Sequence, residues 1–279
     1  MDNFIEYIKV IFLGIVEGIT EWLPVSSTGH MLLVDEFIRL NASEAFKELF
    51  LYVIQLGAIM AVVVIFWRKM IPFQFSDKQK PKIKKETLSM WMKVVVACIP
   101  GAIITILFDD FIEARLHTPT VIALALIFYG FAFIGIEIWN KHRKPTVETL
   151  PDISYKIAIL IGLFQVLSII PGTSRSGATI IGALVIGVSR VAAAEFTFFL
   201  AVPVMFGMSA LKLVKFGLSF TTQEWLMLGV GMLVAFGVSI LVIKFLMAYI
   251  KKHDFKVFGI YRILLGIAVL VYFALTSGV

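Results

Sequence analysis

Two short stretches carry most of the residues in this apolar sequence that could do chemistry. The first runs Glu17-Gly18-Ile19-Thr20-Glu21-Trp22-Leu23-Pro24-Val25-Ser26-Ser27-Thr28-Gly29-His30, the second Pro171-Gly172-Thr173-Ser174-Arg175-Ser176-Gly177-Ala178-Thr179. Glu17 and Glu21 are four residues apart, on one helix face, where like charges repel unless a cation lies between them; a divalent metal or Arg175 would serve. Ser26, Ser27 and Thr28 supply hydroxyls, and His30 is the only histidine in an apolar region, His117, His142 and His253 falling in loops. In the second stretch, a proline ends one half-helix, Gly172 relaxes the turn, and the next half-helix opens with unpaired N–H groups that favour an anion. Arg175 adds a planar fork of donors matched to phosphate or carboxylate oxygens.

Together these parts fit phosphoryl chemistry. Arginine and helix N-termini would hold phosphate oxygens, carboxylates would bind Mg2+ or Ca2+ against a diphosphate, and a hydroxyl activated by histidine would attack phosphorus. Acyl hydrolysis fits less well, because two anion-binding elements exceed what one oxyanion needs and a Ser-His-Asp arrangement lacks its acid.

The elements that must position these residues belong to a membrane. Of 279 residues, 59% are hydrophobic and 16% charged, and mean hydropathy is +0.95, which excludes a soluble domain. The net charge of +6 gathers in short loops between spans, where it encodes orientation, so no nucleic-acid partner is expected. Cys98 lies in an apolar segment and reads as a small core residue, with no disulfide framework. Met1-Asp2-Asn3, followed by Glu6 and Lys9, does not read as a cleavable signal peptide.

The hydrophobic pattern predicts an all-α polytopic membrane protein built as two inverted-topology repeats in one membrane domain. The first repeat, residues 1–140, has a re-entrant helix-loop-helix over 4–40 and spans at 49–67, 88–108 and 119–139. A basic, proline-containing cytoplasmic linker covers 141–156. The second repeat, 157–279, has a re-entrant element over 157–190 and spans at 195–216, 225–249 and 257–276. Eight Lys or Arg between Arg68 and Lys93, against Asp77 and Glu86, place that loop inside; Asp109, Asp110 and Glu113 against Arg115 place the loop from Asp109 to Thr118 outside. Gly14, Glu17 and Thr20 align with Gly162, Gln165 and Ser168 at a shift of 148, and Pro24, Ser27 and Glu48 with Pro171, Ser174 and Glu195 at 147. Inverted repeats with broken helices place a working site near the midplane, where the two loops meet. Glu48 and Glu195 read as structural, Glu137 as interfacial, Arg190 as a positive-inside marker and Gln55 as a helix-to-helix contact.

Across both motifs, and in Gly187-Val188-Ser189-Arg190 and Phe199-Leu200-Ala201-Val202-Pro203, the chain closely resembles the undecaprenyl-diphosphate phosphatase family, also known for bacitracin resistance. The resemblance covers the whole length. It implies a multi-pass enzyme of the bacterial plasma membrane that hydrolyses undecaprenyl diphosphate, a C55 isoprenoid lipid, to the monophosphate and inorganic phosphate. That activity recycles the lipid carrier for peptidoglycan. The resemblance also implies a pocket open to the outer face and dependence on a divalent metal, Mg2+ or Ca2+, held by Glu17 and Glu21. By the same likeness, Ser27 and His30 match the nucleophile and base and Arg175 the phosphate-binding arginine, with Glu21 completing the catalytic set. Ser26, Thr28, Ser174, Ser176 and Thr179 match the hydroxyl donors to phosphate. Whether Ser27 or His30 takes the phosphoryl group stays open, as does a homodimer. The competing readings are a transporter or flippase of a phosphorylated lipid or other anion, which shares the architecture but needs no nucleophile, and a lipid-binding scaffold without turnover.

Overall fold

A computed structural model describes residues 2–73, 83–217 and 219–276; Asp77 and the neighbouring lysines of the basic loop lie outside these. Among the described residues every regular element is a helix. Two hairpins of shorter helices alternate with long ones: α1 (Asp2–Thr20), α2 (Ser27–Phe37), α3 (Glu44–Ile65), the single turn α4 (Trp67–Met70), α5 (Lys85–Leu116), α6 (Pro119–Asn140), α7 (Tyr155–Val166), α8 (Arg175–Ile186), α9 (Arg190–Phe216), α10 (Thr222–Tyr249) and α11 (Lys256–Thr276). Six of them, α3, α5, α6, α9, α10 and α11, are long and apolar enough to cross a membrane. The helices α2, α7 and α8, at 11, 12 and 12 residues, are too short to span on their own.

Serine and threonine mark where helices begin. Ser26, Ser43, Thr118, Ser154, Ser174, Ser189 and Thr221 each accept the N–H three residues on, satisfying a donor that the helix cannot pair internally. The α5 helix runs further than expected. It continues to Leu116, so most of the acidic stretch expected as a loop from Asp109 is helix. Nothing in that stretch breaks a helix before the Thr118-Pro119 start of α6, and apolar surroundings reward every backbone hydrogen bond that can be kept.

Helices α1 and α7 pack along α10 and α5, while α3 lies on α9 and α6 on α11. The contacts of α1 and α7 are made backbone to backbone. A Cβ on Gly162 would stand 2.3 Å from the Ala97 carbonyl oxygen, and one on Gly14 2.9 Å from that of Gly231, the small-residue packing that lets helices associate in lipid. A cluster including Phe66, Phe133, Phe198, Phe199 and Phe255 fills the centre, and Trp22, fully buried, meets Phe198 edge-on at 5.3 Å. The first loop is thereby anchored to α9.

Two charged residues outside the loops are paired. Glu137, near the end of α6, is buried within the protein: Arg190 binds both its carboxylate oxygens, and the Phe255 N–H donates to it at 3.1 Å. Arg190, its side chain 36% exposed, is thus the partner that the buried carboxylate requires. The segment between α6 and α7 is also more than a tether. Thr146 and Val147 donate to the Gly187 carbonyl, Ser189 donates to the Val147 and Glu148 carbonyls, and the segment is fastened to the α8–α9 turn.

The glycine contacts give opposite expectations at two sites. Gly162→Ala should destabilise by about 1–3 kcal/mol through overpacking, whereas Gly207→Ala, where a Cβ meets nothing within 4 Å, should stabilise α9 by up to about 1 kcal/mol. Thermal unfolding in detergent measures both; shifts of the same sign would contradict the packing described here.

Candidate active site

The two polar loops face each other. The first spans the gap between α1 and α2, the second the gap after α7 and the 3-10 turn Leu167–Ile169 that follows it. Both end on a serine in the left-handed region, Ser26 at φ 73° and Ser174 at φ 71°, a conformation that costs roughly 1–3 kcal/mol without glycine and persists only where neighbours enforce it. Each serine caps its short helix, Ser26 accepting from Gly29 N at 3.3 Å and Ser174 from Gly177 N at 3.2 Å. This geometry revises the alignment of the loops. Ser174 corresponds to Ser26, at the same shift of 148 as Glu17 with Gln165, so the helix-opening positions hold Ser27 on one side and Arg175 on the other.

Glu21 joins the two. Arg175 Nη2 donates to Glu21 Oε1 at 3.0 Å, and Ser27 Oγ donates to Glu21 Oε2 at 3.0 Å. The pair is well withdrawn from solvent, with 11% and 8% of the arginine and glutamate side chains exposed. The other Arg175 terminal nitrogen donates to the Thr197 carbonyl at 3.0 Å, which aims the guanidinium across the gap. Ser176 donates to the Glu21 carbonyl at 3.3 Å and shares a hydrogen bond with Ser174 at 3.1 Å. Thr179 accepts from Thr197 and donates back to the Arg175 carbonyl, closing the turn that carries the arginine. Thr28 is exposed on the first turn of α2.

His30 is placed differently from expectation. Its Nδ1 lies 2.7 Å from the Ser26 carbonyl oxygen and its Nε2 2.7 Å from the Tyr261 hydroxyl, whose ring stacks on it. A carbonyl only accepts, so Nδ1 carries the hydrogen and the neutral ring takes the Tyr261 O–H on Nε2. Ser27 is therefore hydrogen-bonded to Glu21 and not to His30. The imidazole folds back over the helix N-terminus onto the carbonyl four residues earlier, away from the neighbouring hydroxyl.

Glu17 is buried, 1% exposed, within electrostatic reach of Glu21 and Arg175, and its Oε1 has no hydrogen-bond partner. Trp22 Nε1, Gln165 Oε1, Thr173 Oγ1, Arg175 Nε and Arg262 Nε are unpartnered in the same way. Among the described residues these six are the buried side-chain polar atoms without partners, and each belongs to a loop, a helix end beside one, or a side chain bound to both loops. Unpaired buried polar groups call for a missing ligand, ion or water.

Tyr261 and Arg262 are absent from the expected set. Arg262 on α11 is fully buried and binds the carbonyls of Pro24, Gly172 and Thr173. An arginine within an apolar span is itself a signal of function, and it was legible in the sequence.

A family model described as bacitracin resistance protein BacA matches residues 10–268. The chain is 71% identical over 273 residues to the undecaprenyl-diphosphatase of Enterococcus faecalis, covering 98% of this chain and 99% of that one. It is 60% identical to undecaprenyl-diphosphatase 1 of Clostridium acetobutylicum, over 96% of this chain and 98% of the relative. Identity to the undecaprenyl-diphosphatase of Streptococcus agalactiae serotype Ia is 56%, over 96% of each chain.

Because the Glu21–Arg175 pair is buried, Arg175→Met should destabilise the protein by about 3–5 kcal/mol by stranding the carboxylate. Adding Glu21→Gln should recover part of the loss. A double-mutant cycle on unfolding in detergent reads this coupling, and additive losses would rule the pair out as a buried contact.

Proposed function

We infer that this chain, which belongs to the bacitracin resistance protein BacA family, is an integral-membrane undecaprenyl-diphosphatase that releases inorganic phosphate and undecaprenyl phosphate from the C55 diphosphate. The observation that carries the location of its site is the gathering of the unpartnered buried side-chain polar atoms at, or on a side chain bound to, the two facing loops, among the described residues. Acceptors and donors of both charges are left open there, as a metal-associated diphosphate requires.

Ser27 is the nucleophile. Its Oγ attacks the terminal phosphorus and its proton passes to Glu21 Oε2, the oxygen it already bonds. The bond from that phosphorus to the bridging oxygen breaks, and the electron pair leaves with the lipid monophosphate. Arg175 and the N–H groups opening α2 and α8 hold the phosphoryl oxygens, with Ser26, Thr28, Ser174, Ser176 and Thr179 shaping the donor set. Water then attacks the phosphoserine; Glu21 returns its proton to the departing Ser27 oxygen, takes one from the attacking water, and releases that proton to solvent as inorganic phosphate leaves, which resets the carboxylate. His30, with Nδ1 and Nε2 both engaged, braces the turn that presents Ser27.

Glu17 and Glu21 would hold a divalent cation, Mg2+ or Ca2+, which would neutralise charge on the diphosphate. The unpartnered Glu17 oxygen fits that role.

The inverted duplication is supported by reciprocal pairs. Glu48, near the start of α3, binds Lys212 near the end of α9 at 2.8 Å, and Glu195, near the start of α9, binds Lys69 just past α3 at 2.7 Å. Helices matched start to end run antiparallel, as inverted halves would. The enzyme acts in the bacterial plasma membrane with its site open to the outer face.

The test is phosphate release from undecaprenyl diphosphate by purified protein in detergent, with and without EDTA. Parent protein should turn over only with metal, Ser27→Ala should fall to background, and Glu21→Gln should lose about 10²–10⁴-fold. Full activity in Ser27→Ala would move the nucleophile elsewhere; no release by folded parent protein with any divalent metal would overturn the reading.

A further inference from the structure

Arg262 is the one fully buried arginine among the described residues, and no carboxylate forms an ion pair with it there. Its fork is spent on backbone. Nη1 donates to the Pro24 carbonyl at 3.2 Å, and Nη2 to those of Gly172 and Thr173 at 2.7 and 2.8 Å. Pro24 stands two residues before the strained Ser26, and Gly172 two residues before the strained Ser174. One guanidinium from the last span therefore grips both loops at corresponding points, next to the turns that need outside enforcement. The same nitrogen that binds Pro24 would stand 3.2 Å from a Cβ on Gly177, in the first turn of α8.

The contact has a second consequence. Carbonyl oxygens aimed into an anion site would repel its occupant. Bonded to Arg262, these three carbonyls are neutralised by its guanidinium instead. Charge alone could not do this. A lysine ammonium carries the same charge but lacks the rigid fork that reaches two loops at once.

We propose that Arg262 is a positioning residue for phosphoryl transfer, the clamp that holds both strained turns so that Ser27 and Arg175 close on one phosphoryl group. The role in turnover rests on the phosphatase reading above; the clamp itself does not. Two measurements on full-length protein in detergent separate them. For Arg262→Lys, kcat on undecaprenyl diphosphate should fall about a hundredfold, the cost of a misplacement near 1 Å, with KM close to the parent's and a lower thermal midpoint. Amide hydrogen exchange in the same variant should quicken at residues 25–30 and 172–178 together, and not in α3 or α10. Arg262→Gln should behave alike in both assays.

A lysine variant with parental kcat would overturn the proposal, because charge would then suffice. So would unchanged exchange, or quickening in one loop only. Failure to recover either variant folded would make Arg262 a determinant of the fold instead, and the proposal would fall. Should parent protein release no phosphate, the exchange experiment still decides the clamp while the phosphatase reading fails separately.

Discussion

The contact on which the rest depends is the ion pair between Glu21 and Arg175, because it is where two broken helices from distant parts of the chain are forced into one site. Neither charge is tolerable alone in an apolar interior. Joined at 3.0 Å, they bring the Ser27 hydroxyl onto the free oxygen of the same carboxylate and leave Arg175 Nε unpaired. The ion pair thus balances charge within the protein. Under the proposed phosphatase mechanism, a diphosphate entering here would meet a network already set in place, which is how an electrostatic site avoids reorganising during reaction.

Such a site needs irregular backbone inside a membrane protein, and the surrounding structure supplies specific partners for it. Serine caps take the first donors of α2 and α8. Arg262 takes the carbonyls of both loops, Trp22 packs the first loop against Phe198, and Thr197 holds the guanidinium that crosses between them. Backbone that lines a protein-enclosed cavity can remain unwound at membrane depth for this reason. The long helices act as the frame: α1 and α7 approach α10 and α5 through glycines, so the short arms of each hairpin are seated against rigid spans. Beyond the site, the Glu137–Arg190 pair and the bonds from Thr146 and Val147 fasten the connecting segments to one end of the same frame.

The helical architecture, the spans and the two polar interruptions are all legible in the sequence, because apolar length and the placement of proline, glycine and hydroxyl residues are local properties. The acidic pair at helical spacing, the serine-capped turns and the isolated arginine of the second motif are legible for the same reason. Tertiary structure alone decided which of these groups meet. Glu21 bonds both Arg175 and Ser27, while His30, three residues from Ser27, turns back to the Ser26 carbonyl and Tyr261. It also decided the register of the two loops, since Ser26 and Ser174 are matched by their backbone angles and caps and not by the run of identical letters around them. Arg262 lies far along the chain from both loops, and its hydrogen bonds are to backbone carbonyls, which every residue possesses. A partner that any residue could supply leaves no mark in the sequence, so only the folded chain identifies what that arginine holds.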